Sequence, residues 1–413
     1  MIRINNKTVK YYLGIDVGKL HHQAALCDGE GKPMAQSLKF PSSFEGYKML
    51  SKYLEQHVIR NVGENDFSQI HAGLEATGSY WLSLYEQLKK LNIQATVLNP
   101  LQVKSYRNEG IRGSKTDTID ALLIVKVLRF GDYKPSDLPN GDLLALRQLT
   151  RLRLDLVKMT TSLKLRVISV FDTVFPEYQH LFTNIFGESS RAILDEAIDP
   201  EAFSSISTEK LTQILKKVSH GWFGEEKAEQ IKLAANHSIG IRLGIDAFSL
   251  SAQILLAQIT HLEDQVEKLD IEITGRLKAL NSTLTTVPGI GNVIAATIIS
   301  EIGNFDRFRD EKDGAEKLVA LAGIDPKMKD SGILKGKAVM SKRGSPYLRR
   351  AIRQAAFAAS VRGKDPMLSG IYQKKISEGK HFEVALSHVE NKMMHVVYSL
   401  LKSGKEYRPY GKA

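Results

Sequence analysis

The sequence predicts an α/β domain at the N-terminal end, then long helices, then a basic and mostly helical C-terminal part. Three observations predict this. Residues 11–99 alternate short β-rich apolar runs with stretches of helical period. Two later segments repeat apolar residues at spacings of three and four over many turns. From Pro326 to Ala413 there are 19 Lys and Arg against 6 Asp and Glu, a net of +13, whereas the preceding 325 residues hold 38 basic and 40 acidic groups. The net +11 of this 413-residue chain is therefore a local property. Such an asymmetry is expected where one part of a protein touches a phosphate backbone.

Tyr11–Val17 is a β-rich run that Lys19-Leu20 turns into a second, His22–Cys27, ending at the turn dipeptide Asp28-Gly29. Met34–Phe40 reads as a third strand. Ser43 caps a helix with Phe44, Tyr47, Leu50 and Leu54 on one face. Gln69–Leu74 is a strand ending at Glu75. Ser79 caps a helix through Trp81, Leu84, Tyr85 and Leu88, and Ala95–Leu98 is a short strand closed by Asn99-Pro100. A three-stranded meander followed by helix, strand, helix, strand is the order of the ribonuclease H-like fold, a mixed sheet with helices on its faces.

The first long helix carries Leu146, Leu149, Arg153, Leu156, Thr160, Leu163, Val167 and Val170. The second carries Leu255, Ile259, Leu262, Val266, Leu269, Ile273, Arg276 and Leu280. Both patterns fit a heptad seam, either two core helices packed together or an antiparallel coiled-coil arm that also joins protomers. Thr286-Val287-Pro288-Gly289-Ile290-Gly291-Asn292 resembles a helix-hairpin-helix turn, where the N–H groups of Gly289, Gly291 and the next helix would bind phosphate. Ser345-Pro346 is an N-cap and first-turn pair opening a helix with Leu348, Ile352, Ala355 and Ala359 inward, and Arg349, Arg350 and Arg353 on the other side. These features divide the chain into residues 1–140, 141–280 with an inserted helical segment at 172–250, and 281–413.

The composition is that of a globular protein, 43% hydrophobic and 25% charged, which excludes a disordered or collagenous chain. A single cysteine, Cys27, excludes an intrachain disulfide and a cysteine-rich zinc site. The first residues have no apolar signal region, and no run of 18 apolar residues exists. A cytoplasmic protein with no membrane partner is expected.

Four carboxylates stand out. Asp16 sits in the apolar run Gly14-Ile15-Asp16-Val17-Gly18, where an unpartnered charge is costly. Glu75 ends another strand. Asp117 and Asp120, in Lys115-Thr116-Asp117-Thr118-Ile119-Asp120, fall on one face at the start of a helix. Acids there also suit the helix dipole without any metal. Taken together, two strand-end acids and a helix pair make an oxygen-donor site suited to Mg2+. Two such ions about 3.5–4 Å apart can activate a nucleophile and stabilise a leaving oxygen at a phosphodiester. The rival reading of Gly14–Gly18 as the first phosphate loop of an actin-like kinase needs a second such loop, and Leu321–Ser331 lacks the strand pattern.

Asp16, Glu75, Asp117 and Asp120 resemble the D-E-D-D set of RuvC-like nuclease domains. Lys115-Thr116-Asp117 with Asp120-Ala121 is similar to the form found in DEDD insertion-sequence transposases, which are bridge-RNA-guided recombinases. Val287–Gly291, Leu321-Ala322-Gly323-Ile324, Asp330-Ser331-Gly332 and Ser341-Lys342-Arg343-Gly344 with Tyr347-Leu348-Arg349 resemble, in order, the C-terminal transposase domain of that family. The resemblance implies metal-dependent strand cleavage and exchange through a phosphoserine, with Ser331 as the best match to the family's serine and Ser341 as the second. It implies double-stranded donor and target DNA, a structured non-coding guide RNA, and a homodimer that pairs into a homotetramer. Lys115, Lys335, Lys337, Lys342, Arg343, Arg349, Arg350 and Arg353, with the two hairpin glycines, are the expected nucleic-acid contacts. The competing functions are a junction-resolving nuclease that uses water and a non-catalytic RNA-binding scaffold.

Overall fold

A computed structural model describes residues 3–4, 7–58, 67–75, 78–98, 103–104, 106, 116–130, 141–327, 330–331, 334–335 and 339–409. Lys115 and Lys337 lie outside the described residues, and Ser331 and Lys335 are described by backbone alone. The chain forms two compact units, Met1–Leu138 and Pro139–Ala413.

The first unit is built on a five-stranded sheet of β1 (Tyr11–Val17), β2 (His21–Asp28), β3 (Leu38–Pro41), β4 (Ile70–Glu75) and β5 (Gln94–Leu98), in the order β3-β2-β1-β4-β5. β2 is antiparallel to both neighbours, whereas β1, β4 and β5 run parallel. This mixed order is the ribonuclease H-like topology that the element order predicts. Strand alternation sorts the side chains. Leu13, Ile15, Ala24, Leu26, Ala72 and Leu74 join one core with Leu50 and Leu54 of α1 (Phe44–His57) and Leu84 and Leu88 of α2 (Trp81–Lys90). The opposite face, with Tyr12 and Cys27, packs against Ile124, Val125 and Leu128 of α3 (Asp117–Phe130).

Local details depart from the sequence expectations in three places. The third strand begins at Leu38, not Met34, because Met34 is held on β2 by its own N–H to the Leu26 carbonyl, at 3.0 Å. Ser43 caps α1, accepting from the Gly46 N–H at 3.2 Å, but Phe44 is 67% exposed, and Gly46, Leu50, Tyr53 and Leu54 form the buried side. Ser79 does not cap α2 through its side chain. Tyr80 already has helical backbone angles, and the Ser79 carbonyl accepts from the Leu82 N–H at 3.2 Å.

In the second unit, α4 (Gly141–Val174) and α5 (Ile245–Ala279) pack as an antiparallel pair, tied by the Arg153–Asp270 ion pair and by Lys164–Glu263 at 2.7 Å. Each end of the pair feeds a separate core. Val167, Phe171 and Ile259 join Phe175, just past the end of α4, and Tyr178 and Phe203 of the short helices between residues 178 and 236. The Tyr178 hydroxyl, fully enclosed there, is paired with Ser190 Oγ at 2.8 Å. Leu146, Ile273 and Leu277 join the other core, made by α6 (Asn292–Ile302), α7 (Gly314–Ala322), α8 (Pro346–Ser360), α9 (Pro366–Ser377) and α10 (Phe382–Ser403). Between α7 and α8 lies a ribbon. At its root β6 (Pro326–Lys327) pairs with β9 (Val339–Met340), and further out β7 (Asp330–Ser331) pairs with β8 (Leu334–Lys335).

Candidate active site

Asp16 and Glu75 are brought together by register. β1 and β4 are parallel neighbours, paired Gly14 to Gly73 and Ile15 to Leu74, so Asp16 and Glu75 follow as the next residues at the same end of the sheet. Both lie on the α3 side by alternation. Burial pushes His71, two residues before Gly73 on the same side, down to about 4, so it stays neutral and adds no competing cation.

Helix α3 is seated by glycine. A Cβ on Gly14 would stand 2.0 Å from the Ala121 carbonyl oxygen, and one on Gly73 would stand 2.8 Å from Ile124 and Leu128 side-chain carbons. The sheet therefore has a flat floor where the helix backbone approaches. Thr116 caps the helix by accepting from the Ile119 N–H at 3.3 Å. The direction of α3 follows from its ends. Thr118 hydrogen bonds Ser37 at 3.0 Å, Ser37 accepts from Gln23 at 2.8 Å, and Gln23 is the register partner of Asp16. The first turn, with Asp117 and Asp120, thus lies toward the end of the sheet that carries Asp16. Asp120 is buried, 6% exposed, and Asp117 is exposed. The donor set is all carboxylate oxygen, the chemistry of a Mg2+ or Mn2+ site. Among the described residues, no three Asp, Glu, His or Cys side chains are grouped closely enough to hold an ion as they stand.

The two candidate serines occupy different places on the ribbon. Ser331 is on its outer pair, opposite Leu334. Ser341 is at its root and is engaged. Its hydroxyl donates to Asp325 Oδ1 at 2.5 Å, its N–H donates to the Asp325 carbonyl at 2.9 Å, and the Lys342 N–H donates to the Gly323 carbonyl at 3.0 Å.

The expected phosphate contacts divide as well. Lys342 and Arg343 are exposed beside Ser341. Arg349 turns inward and donates to the Ala322 carbonyl at 2.9 Å, while Arg353 forms two bonds to Glu383, at 2.7 and 2.8 Å, and reaches Glu390 at 3.4 Å. Arg350 is exposed and makes no ion pair with a described residue. Gly289, with φ of 96°, lets the turn before α6 approach α8: a Cβ there would lie 2.7 Å from the Ala355 carbonyl. Gly291 is exposed at the start of α6 with open space beside it.

Residues 13–176, which hold all four acids, match a DEDD family model described as a transposase. Residues 281–373, which hold both serines, match the model of the transposase IS116/IS110/IS902 family. The chain belongs to this family of insertion-sequence transposases. This transposase is 23% identical over 411 residues to an insertion element IS116 protein of 44.8 kDa from Streptomyces clavuligerus, covering 97% of this chain and 96% of that one. It is also 23% identical to the pilin gene-inverting protein of Moraxella bovis, covering 96% of this chain and 98% of that one. Among solved structures, that of Thermus thermophilus RuvC aligns at 14% identity with a TM-score of 0.23, covering 30% of this chain and 99% of that one.

Several residues around the transposase's serine segment escape a reading from sequence. Glu301, with its side chain 3% exposed, accepts two bonds from Arg151, at 2.7 and 2.9 Å, and one from Ser345 at 2.8 Å, so α4, α6 and α8 share one buried carboxylate. Glu390 sits in the apolar face of α10 between Leu386, Met393 and Met394. Burial pushes its carboxyl up to about 7, against the pull of Arg353. An acid at a core position of a helix was the available signal in both cases.

Proposed function

We propose that this transposase cuts and rejoins DNA strands through a covalent serine intermediate, with Asp16, Glu75, Asp117 and Asp120 holding divalent metal and Ser331 supplying the nucleophile. The observation that carries the reading is the acidic end of the sheet. Asp16 and Glu75 lie at the same end of adjacent parallel strands, on the side where the first turn of α3 presents Asp117 and Asp120. Mg2+ bound there would polarise a scissile phosphate and favour ionisation of an attacking hydroxyl.

Ser331 Oγ forms a bond to phosphorus as the bond from phosphorus to the 3′ oxygen breaks. The serine proton is lost, and the leaving oxygen takes one up to become a 3′-hydroxyl. The reverse attack by a different 3′-hydroxyl rejoins strands, so the phosphodiester energy is retained and no nucleotide cofactor is consumed. The engagement of Ser341 with Asp325 favours Ser331 for this role, because Ser341 already has a local structural task. The acids and Ser331 belong to different compact units, so the proposed chemistry requires groups from both to act together, within one chain or between protomers of a dimer and tetramer.

Guidance by a structured non-coding RNA follows from the family resemblance and agrees with the +13 concentrated after Pro326. In such a scheme, base pairing reads sequence and the protein reads backbone and shape.

The test is adduct trapping on donor DNA with Mg2+ and the flanking non-coding RNA. A denaturation-resistant protein–DNA band is expected from the native chain and from Ser341→Ala. It is expected to vanish in Ser331→Ala and Asp16→Asn. Cleavage without an adduct, unaffected by Ser331→Ala, would instead identify water as the nucleophile.

A further inference from the structure

We propose that the groove along α8, between Lys342 and Arg362, seats one phosphodiester backbone of DNA, with Arg350 and Arg362 as the phosphate contacts. Two clefts form it, of about 620 and 430 Å3, and they share Arg350 and Arg353. Arg350 and Arg353 therefore border both.

The groove floor is one helix face. Tyr347, Arg350, Gln354, Phe357 and Arg362 recur at spacings of three to five along α8 and the turn after it. The 15 residues of α8 span about 22 Å, the length over which one DNA strand presents roughly six phosphates. The opposite wall includes Arg153 of α4 and the first turn of α6 at Val293 and Ile294. The unpaired N–H groups of a first helical turn give that wall a positive character of its own.

Charge in the groove is already sorted. Arg153 is neutralised by Asp270 and Arg353 by Glu383, so these two shape the walls. Arg350 and Arg362 are exposed and have no ion-pair partner among the described residues, which leaves their charge for a ligand. Arg362 lies 5.7 Å from the centre of the Phe357 ring, and Arg151 lies 4.4 Å from the centre of the Tyr347 ring. Flat rings backed by guanidinium groups suit sugar and base surfaces beside a phosphate. The only carboxylate among the lining residues is Glu390, which is buried and reached by Arg353 at 3.4 Å. A polyanion is thus the complementary occupant, and the proposal commits to DNA because the chain is a transposase. It rests on the reading of the protein as an enzyme acting on DNA strands.

The test is binding of the full-length chain to a labelled duplex of arbitrary sequence, followed by anisotropy from about 50 to 200 mM salt. Arg350→Gln with Arg362→Gln is expected to lower the slope of log affinity against log salt by about 1.8, at about 0.9 per lost phosphate contact. Arg350→Lys with Arg362→Lys is expected to keep the slope, which separates charge contact from misfolding. An unchanged slope in the Gln pair overturns the proposal. So does an equal loss in Lys216→Gln with Lys217→Gln, two lysines at the end of a distant short helix, because the effect would then be diffuse charge. A loss seen with a structured RNA but not with the duplex overturns the assignment to DNA. Asp16→Asn is expected to abolish cleavage and leave the slope intact, so failure of the catalytic reading and failure of the groove are distinguishable.

Discussion

Gly14 and Gly73 are register partners on neighbouring parallel strands, and together they form the floor on which α3 rests. The acidic end of the sheet depends on this contact, because it sets how far the Asp117–Asp120 turn stands from Asp16 and Glu75.

Gly14→Val should therefore damage the site without touching a carboxylate. Its Cβ meets a backbone oxygen, Ala121 O, which cannot rotate away. Overpacking of this kind costs about 1–3 kcal/mol, more where backbone must move. Gly73→Ala meets only side-chain carbons of Ile124 and Leu128 and no backbone atom among its nearest neighbours, and should cost less. Urea unfolding should rank the two variants in that order, with strand cleavage reduced further in Gly14→Val than its stability loss explains.

Ser341→Ala should lower stability and spare adduct chemistry. It removes a hydroxyl donor from the Asp325 carboxylate, a charged hydrogen bond of about 1.5–3 kcal/mol. Ser331→Ala should do the reverse. Thermal melts and adduct gels on the same preparations read both outcomes, and an intact adduct in Ser331→Ala would remove that residue from the mechanism.

Arg151→Ala should be among the most destabilising single changes in the second unit. It leaves Glu301 buried with Ser345 as its remaining side-chain donor. Breaking a buried pair from one side costs about 3–5 kcal/mol, and the partly exposed Arg151 places this case near the lower figure. Arg151→Ala with Glu301→Gln should recover part of the loss, as measured by chemical denaturation.

Glu390 should give the fold a pH dependence of opposite sign to the usual carboxylate. Its ordinary value is 4.5 and the folded value is about 7, so the folded chain binds more protons than the unfolded chain between those limits. Its contribution to stability is present at pH 4.5, is lost as pH rises to about 7, and is flat above that. Glu390→Gln, which can still accept from Arg353, should match the native chain at pH 5 and melt higher at pH 8. Equal melting temperatures at both values would show that the carboxyl does not titrate in this range.

Much of the first unit was legible because a sheet with one helix layer on each face buries its strands along their whole length, so they read as short continuous apolar runs. Ile15 and Leu74 read as core, and the acids that follow them read as strand ends. Capping by Ser43 and Ser345 was legible for the same local reason, since a cap needs only its own next three residues. Phe44 misled because an aromatic at the right helical spacing is indistinguishable in sequence from a core residue, although the structure leaves it exposed beside Lys48. The arginines of α8 misled differently. The period places Arg349, Arg350 and Arg353 on one polar side, but cannot say that Glu383, Glu390 and the Ala322 carbonyl arrive from other elements to engage two of the three.

The sequence by itself determined the ribonuclease H-like order of strands, the nomination of four acids as a candidate metal site, and the basic character of the last fifth of the chain. These depend on periodicity and composition, which are local. Tertiary structure decided which of those groups are committed. It put Asp120 inside and Asp117 outside, tied Ser341 to Asp325, paired Arg353 with Glu383, and left Arg350 and Arg362 open along one groove. Partnership between charges depends on chain segments tens to hundreds of residues apart, and only packing brings those segments within hydrogen-bond distance.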